Sequence, residues 1–227
     1  MVPRRVALQL SLMTVVAIAG CGGGGGGGSS GNPVSQNLES AQTPSQPMAT
    51  PSTTLMATDS SGNTYSIAYS STPGGMAMFN GQNASTSAIA LTVSENGVVL
   101  ATEDSTAYFL TGPYSPLGLS GTTSGVAWTA VVTAYTPPPA MLTVGASGPL
   151  ASFTYKDAMG NTIGSLTETY TVTADSATAV FLNIDAAGTI NGLQETETLT
   201  YSVAANGTVV GLVQAQITVN GTTLTFH

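Results

Sequence analysis

From Thr53 onward, apolar and polar side chains alternate over short runs. In Leu166 to Ala174, one set holds Leu166, Glu168, Tyr170, Val172 and Ala174, and the other holds Thr167, Thr169, Thr171 and Thr173. In Leu193 to Val203, Leu193, Glu195, Glu197, Leu199, Tyr201 and Val203 alternate with Gln194, Thr196, Thr198, Thr200 and Ser202. Successive side chains of a strand point to opposite faces, so each run predicts a strand with a mixed apolar face and a neutral, Thr-rich face. Asn-Gly pairs punctuate the runs at Asn80-Gly81, Asn96-Gly97, Asn191-Gly192, Asn206-Gly207 and Asn220-Gly221. Both residue types tolerate the positive φ angles that tight hairpins need. Thr, Val, Tyr and Ile dominate between the turns and suit a pleated, half-buried surface. No long run in this region has the 3.6-residue period of a helix. The pattern predicts an all-β domain over 53–227, an antiparallel meander of short strands closing as a β-barrel or β-sandwich.

The first 52 residues follow other rules. Arg4 and Arg5 precede a mostly apolar run from Val6 to Ala19. At ~1.5 Å per residue such a helix reaches ~21 Å, short of a ~30 Å bilayer core. It fits the apolar segment of a cleavable signal peptide, residues 1–20, better than a permanent span. Ile18-Ala19-Gly20-Cys21 follows, an aliphatic residue and two small ones before the only cysteine. This resembles the lipobox of bacterial lipoproteins. The resemblance implies cleavage before Cys21, a diacylglycerol thioether on its sulfur and a further acyl chain, such as palmitate, on its amino group. Two or three acyl chains hold a protein stably on a bilayer, where one does so only marginally. Gly22 rather than Asp follows the cysteine, which by the same resemblance favours the outer membrane, with its periplasmic or surface side undetermined. Residues 21–52 then read as a flexible tether: Gly22 to Gly28 is unbroken glycine, and 32–52 is rich in Pro, Ser, Gln, Thr and Asn. Such a coil spans about 30 Å on average and roughly 100 Å fully stretched.

Composition narrows the chemistry. Three basic and eleven acidic residues give a net charge of −8; loss of Arg4 and Arg5 with the signal gives 1 − 11 = −10, with Lys156 the one cation left. Nucleic-acid binding is excluded by the lack of cationic contacts to phosphate. One cysteine permits no intrachain disulfide. His227, the only histidine, is the last residue, a poor place for the rigid imidazole of a catalytic triad. No histidine or cysteine cluster suggests zinc or another metal, and nothing calls for a cofactor. The domain therefore reads as non-enzymatic.

Carboxylates remain. Glu168, Glu195 and Glu197 share faces with Tyr170 and Tyr201. If those faces line a barrel, the acids converge and could bind a cation or a hydroxyl-rich ligand, or form the carboxylate pair of a glycoside hydrolase. The simpler expectation is that they project past the core and lie solvated at a wet rim. Glu103 and Asp104, being adjacent, point to opposite faces. Asp59, Asp157 and Asp185 begin turns, where Asp bonds its own backbone; calcium would need more oxygens than such loops supply. Trp128 shares a face with Ala130, Val132 and Ala134 and reads as core.

A repeat is hinted at. Asp59-Ser60-Ser61-Gly62-Asn63-Thr64 resembles Asp157-Ala158-Met159-Gly160-Asn161-Thr162, and Leu100 to Tyr108 resembles Leu193 to Tyr201, with Pro137-Pro138-Pro139 between. Duplicated halves at about 53–136 and 140–227 fit that order, within a domain treated as single. Together these features predict a membrane-anchored lipoprotein whose domain binds a protein, glycan or envelope component. The alternative is a lipocalin-like carrier with a small apolar ligand in a closed barrel.

Overall fold

The computed structural model describes residues 38–44, 52–110, 115–219 and 221–227. Cys21, the apolar run before it and the glycine run after it lie outside these residues. The described chain is all-β, with strands β1 (Ser40–Gln42), β2 (Thr53–Thr58), β3 (Thr64–Phe79), β4 (Gln82–Glu95), β5 (Val98–Leu110), β6 (Ser115–Thr123), β7 (Val126–Tyr135), β8 (Met141–Thr143), β9 (Ser147–Asp157), β10 (Thr162–Ala174), β11 (Ala179–Ile190), β12 (Leu193–Ala204), β13 (Val209–Val219) and β14 (Thr222–Phe226).

Twelve of these strands form one antiparallel meander, in the order β2-β3-β4-β5-β6-β7-β9-β10-β11-β12-β13-β14. The two ends of the sheet meet. Met56 of β2 and His227, just beyond β14, exchange both backbone hydrogen bonds at 2.9 Å. The sheet is thus nearly closed as a barrel, which leaves few unpaired edge groups. His227 is exposed, and its main chain, far from fraying, forms this seam.

The period-two pattern sets which face turns inward. In β10, Leu166, Glu168, Tyr170 and Val172 are buried, while Thr167 and Thr169 are exposed. The interior holds large side chains from all round the ring, including Tyr155, Tyr201, Phe109, Phe153, Phe226, Leu119 and Leu182, each under 2 % exposed. Burying one such side chain contributes roughly 1.5–3 kcal/mol. The outer face carries Thr, Ser, Asn and Gln hydroxyls and amides, stitched by bonds such as Thr200 Oγ1 to Asn183 Oδ1 (2.8 Å) and Thr218 to Thr223 (2.7 Å). A barrel that faces lipid needs the opposite arrangement, an apolar band outside.

Turn chemistry fixes the register. Asn80-Gly81, Asn96-Gly97 and Asn191-Gly192 are two-residue hairpin turns with φ near 50° at Asn and near 79° at Gly. Ser124-Gly125 makes the same turn without the Asn-Gly signature. Asn206-Gly207 departs from the expected two-residue form: only the glycine is left-handed, and Ala204 N–H reaches Thr208 O across a longer loop.

One segment of the predicted tether is packed. Leu38 is half-buried, and Ala41 of β1 is fully buried. β1 pairs antiparallel with β8, and the two-stranded ribbon lies across one end of the barrel. Its backbone bonds there are Leu38 N–H to Ser176 O (2.6 Å) and Gln42 N–H to Ala205 O (2.9 Å). Ala41 and Leu142 face each other in this ribbon, both fully buried. A few apolar residues in a polar stretch suffice when the rest of the surface they need already exists.

Candidate functional site

The three predicted acids lie in the interior rather than at a wet rim. Glu168, Glu195 and Glu197 are 0 %, 5 % and 7 % exposed. Their alternation with Tyr and Leu had read as a strand end overhanging the core, but the barrel continues past them, so the inward face is covered at every one. Glu168 and Glu197 flank Ala186 on one rung of the sheet, and Glu195 stands beside Gly188, one step nearer the Asn191-Gly192 turn.

A fourth acid joins them. Glu103 of β5 is 4 % exposed and stands across the lumen from β12, close enough that its charge raises the Glu197 pKa. Ser105 Oγ donates to Glu103 Oε1 at 3.1 Å, and Thr123 Oγ1 donates to Oε2 at 3.5 Å. Trp128 Nε1 in turn donates to Thr123 at 2.9 Å. Trp128 is core, as expected, and its one polar atom ends a chain that leads to Glu103. Asp104 points to the outer face, as adjacency requires.

Burial is the main force on these carboxyls, because a carboxylate leaving water without a cation loses solvation. Desolvation pushes Glu195 up to about 8 and Glu103 up to about 8, the latter in spite of its two hydroxyl donors. Glu197 is raised well above its usual value by desolvation, then by the charges of Glu103, Glu195 and Glu168. At neutral pH these groups carry protons, so the interior is polar but largely uncharged. Tyr201, fully buried, is raised by desolvation and by its neighbours Tyr69, Glu197 and Glu168. Tyr170 shares the Glu168 face, but its ring fills the space that a side chain at Gly148 would take. Among the described residues, no three acidic, histidine or cysteine side chains are grouped so as to hold a metal ion.

Asp59 and Asp157 perform turn chemistry. Asp59 Oδ1 accepts from Ser61 and Asn63 N–H, and Oδ2 from the Asn63 amide; Asp157 repeats this with Met159 and Asn161. The Asn side-chain bond is the largest cause that holds each carboxyl below its usual pKa. Asp185 accepts from Thr198 Oγ1 at 2.6 Å.

A second feature lies outside. A trough of about 630 Å³ runs over the outer face of β3 to β7, lined among others by Ser70, Thr72, Asp104, Thr106, Ser120, Thr122 and Thr129. Its floor is shallow because the inward residues beneath it are small: Ser71, Ile89, Ser105, Gly121 and Trp128 share one rung, and three of the five are Ser or Gly. A Cβ on Gly121 would sit 2.6 Å from the Asp104 carbonyl oxygen, so glycine permits the curvature here. No family model matches the chain, and neither does any curated protein or solved structure. The site is therefore argued from its own geometry. Sequence reasoning missed Glu103 because no local pattern says that β5 and β12 face each other, and missed the trough because it belongs to five strands at once.

Proposed function

We propose that this protein is a lipid-anchored, non-enzymatic binding module of the bacterial cell envelope, tethered through Cys21, which engages a hydroxyl-rich glycan through the trough on its outer face. The observation that carries the reading is the trough itself, a concave surface of Ser and Thr hydroxyls with one carboxylate, Asp104, and small Ala side chains between them. Sugar hydroxyls need neutral donors and acceptors with one charged acceptor to fix orientation, and need no cation. Anchoring rests on Ile18-Ala19-Gly20-Cys21 after a short apolar run. The filled interior supports a surface-binding role over a carrier of a small apolar ligand, since Tyr155, Phe153, Phe109 and Phe226 occupy the space such a ligand needs. A single carboxylate in the trough supports binding rather than glycoside hydrolysis, which uses two.

Two measurements test this. Cys21→Ala should abolish labelling by a fatty-acid analogue; equal labelling of variant and parent contradicts the anchor. Thr106→Trp, which fills the trough, should remove binding to a panel of envelope polysaccharides, and Asp104→Asn should weaken it about tenfold. Undiminished binding by Thr106→Trp contradicts the trough as the site.

A further inference from the structure

We infer that the barrel interior holds a second binding site, for a linear aliphatic diamine or polyamine, with Glu195 and Glu197 as its two carboxylate anchors and Tyr201 as a further acceptor. Glu195 Oε1, Glu197 Oε2 and the Tyr201 hydroxyl are buried and have no hydrogen-bond partner among the described residues. Buried oxygens left unpaired cost on the order of 1–3 kcal/mol each, so three on one strand face mark a place where a donor belongs. They alternate along β12 in a row rather than a cluster. Glu195 and Glu197 are two residues apart, ~6.8 Å along the strand, and Tyr201 continues the line inward.

The shape of the row decides the ligand class. A metal ion needs its oxygens around one point, and the acids here are not so grouped. A linear diamine carries N–H donors at intervals with methylenes between, and the same face of β12 supplies Leu199 beside the acceptors. The chain offers no cation of its own, because Lys156, the one lysine, sits on β9 at the outer-face position paired with Thr129. On β11 the residues opposite Glu197 and Glu195 are Ala186 and Gly188, which leave the carboxyls uncovered on that side. The β1–β8 ribbon covers the far end, so the ligand enters from the Asn191-Gly192 end, where it meets Glu195 first.

Ionisation follows from the same geometry. The titratable groups that face Glu197 are Glu103 of β5, Glu168 of β10, and Glu195 and Tyr201 of β12, with Tyr69 of β3 beyond Tyr201. Empty, the carboxyls hold their protons. An incoming ammonium takes the place of each proton: the carboxyl O–H breaks, the proton leaves to solvent, and the carboxylate accepts N–H bonds from the amine. Affinity must therefore rise with pH until Glu195 ionises unaided, near 8.

The test is calorimetry and thermal melting of the whole protein with 1,4-diaminobutane at pH 6 and pH 8. The expected result is saturable binding at least tenfold tighter at pH 8, with proton release, and a rise in melting temperature that tetramethylammonium, lacking N–H donors, does not give. Glu197→Gln should lose the effect, and Tyr201→Phe should weaken it several-fold, which keeps the test decisive if the former fails to fold. Absence of binding overturns the inference, as does an equal response to tetramethylammonium. A response to calcium alone also overturns it, in favour of a metal site. Loss of polysaccharide binding at the outer trough does not bear on this result, so the two proposals fail separately.

Discussion

Six strands precede the Pro137-Pro138-Pro139 link and six follow it, and each set is introduced by a short strand, β1 or β8, that pairs with its counterpart. The turns correspond in order: Asp59 to Asn63 with Asp157 to Asn161, Asn96-Gly97 with Asn191-Gly192. Counting from the latter two turns, and allowing for the bulge at Val93/Ser94, Glu103 in its pairing with Leu91 matches Glu197 in its pairing with Ala186. By the same count Tyr69 matches Glu168. The halves therefore share a path and differ on one rung, where the first sets Tyr69, Leu91 and a hydroxyl-bonded Glu103, and the second sets Glu168, Ala186 and Glu197. The contrast teaches where tolerance ended. Glu103 keeps its donors from Ser105 and Thr123, whereas Glu195 and Glu197 each retain a buried oxygen with no donor. The first half instead gives up interior volume to Ser and Gly, and its outer face dips into the trough.

The sharpest way to break this comparison is pH. A carboxyl whose folded pKa is raised contributes stability that is fully present below its unfolded value, near 4.5, and lost as pH rises towards its folded value, near 8. Stability of the whole protein should fall over that window. Glu195→Gln should remove part of the fall, leaving the variant more stable by about 2 kcal/mol or more at pH 9 and nearly equal to the parent at pH 4. Glu103→Gln should gain less, since its two donors already favour the charged form. Denaturant titrations at the two pH values measure both, and equal gains would erase the distinction between the halves.

The paired turns offer a smaller test. Asp59→Ala and Asp157→Ala should each cost about 1 kcal/mol, because each removes the same three bonds from an exposed loop. A difference above about 0.5 kcal/mol would show that the loops are alike in shape only. Smaller still, Ser124→Asn should stabilise by a few tenths of a kcal/mol, since Asn tolerates the left-handed φ of 48° better than Ser. Loss of stability there would deny the turn type.

Local rules made much of the fold legible. Period-two alternation in 166–174 and 193–203 located β10 and β12 and their inward faces, and three of five Asn-Gly pairs marked two-residue turns. Barrel and sandwich were indistinguishable in the sequence, because closure depends on Met56 meeting His227, residues 171 positions apart. Burial of the acids was misjudged for a related reason: an isolated strand shows which side chains share a face and not how far the opposite wall extends. Residues 38–44 looked like tether because their few apolar side chains count only once a barrel end is there to receive them.

The central claim is that the interior carboxyls are buried and protonated at neutral pH. Carbon-13 NMR titration of the glutamate side-chain carboxyls in the intact protein tests it without any mutation. Glu103 and Glu195 should titrate near pH 8, while Asp59 and Asp157 titrate below the usual aspartate value. Titration of every glutamate near 4.5 would contradict the account, since it would place these side chains in water.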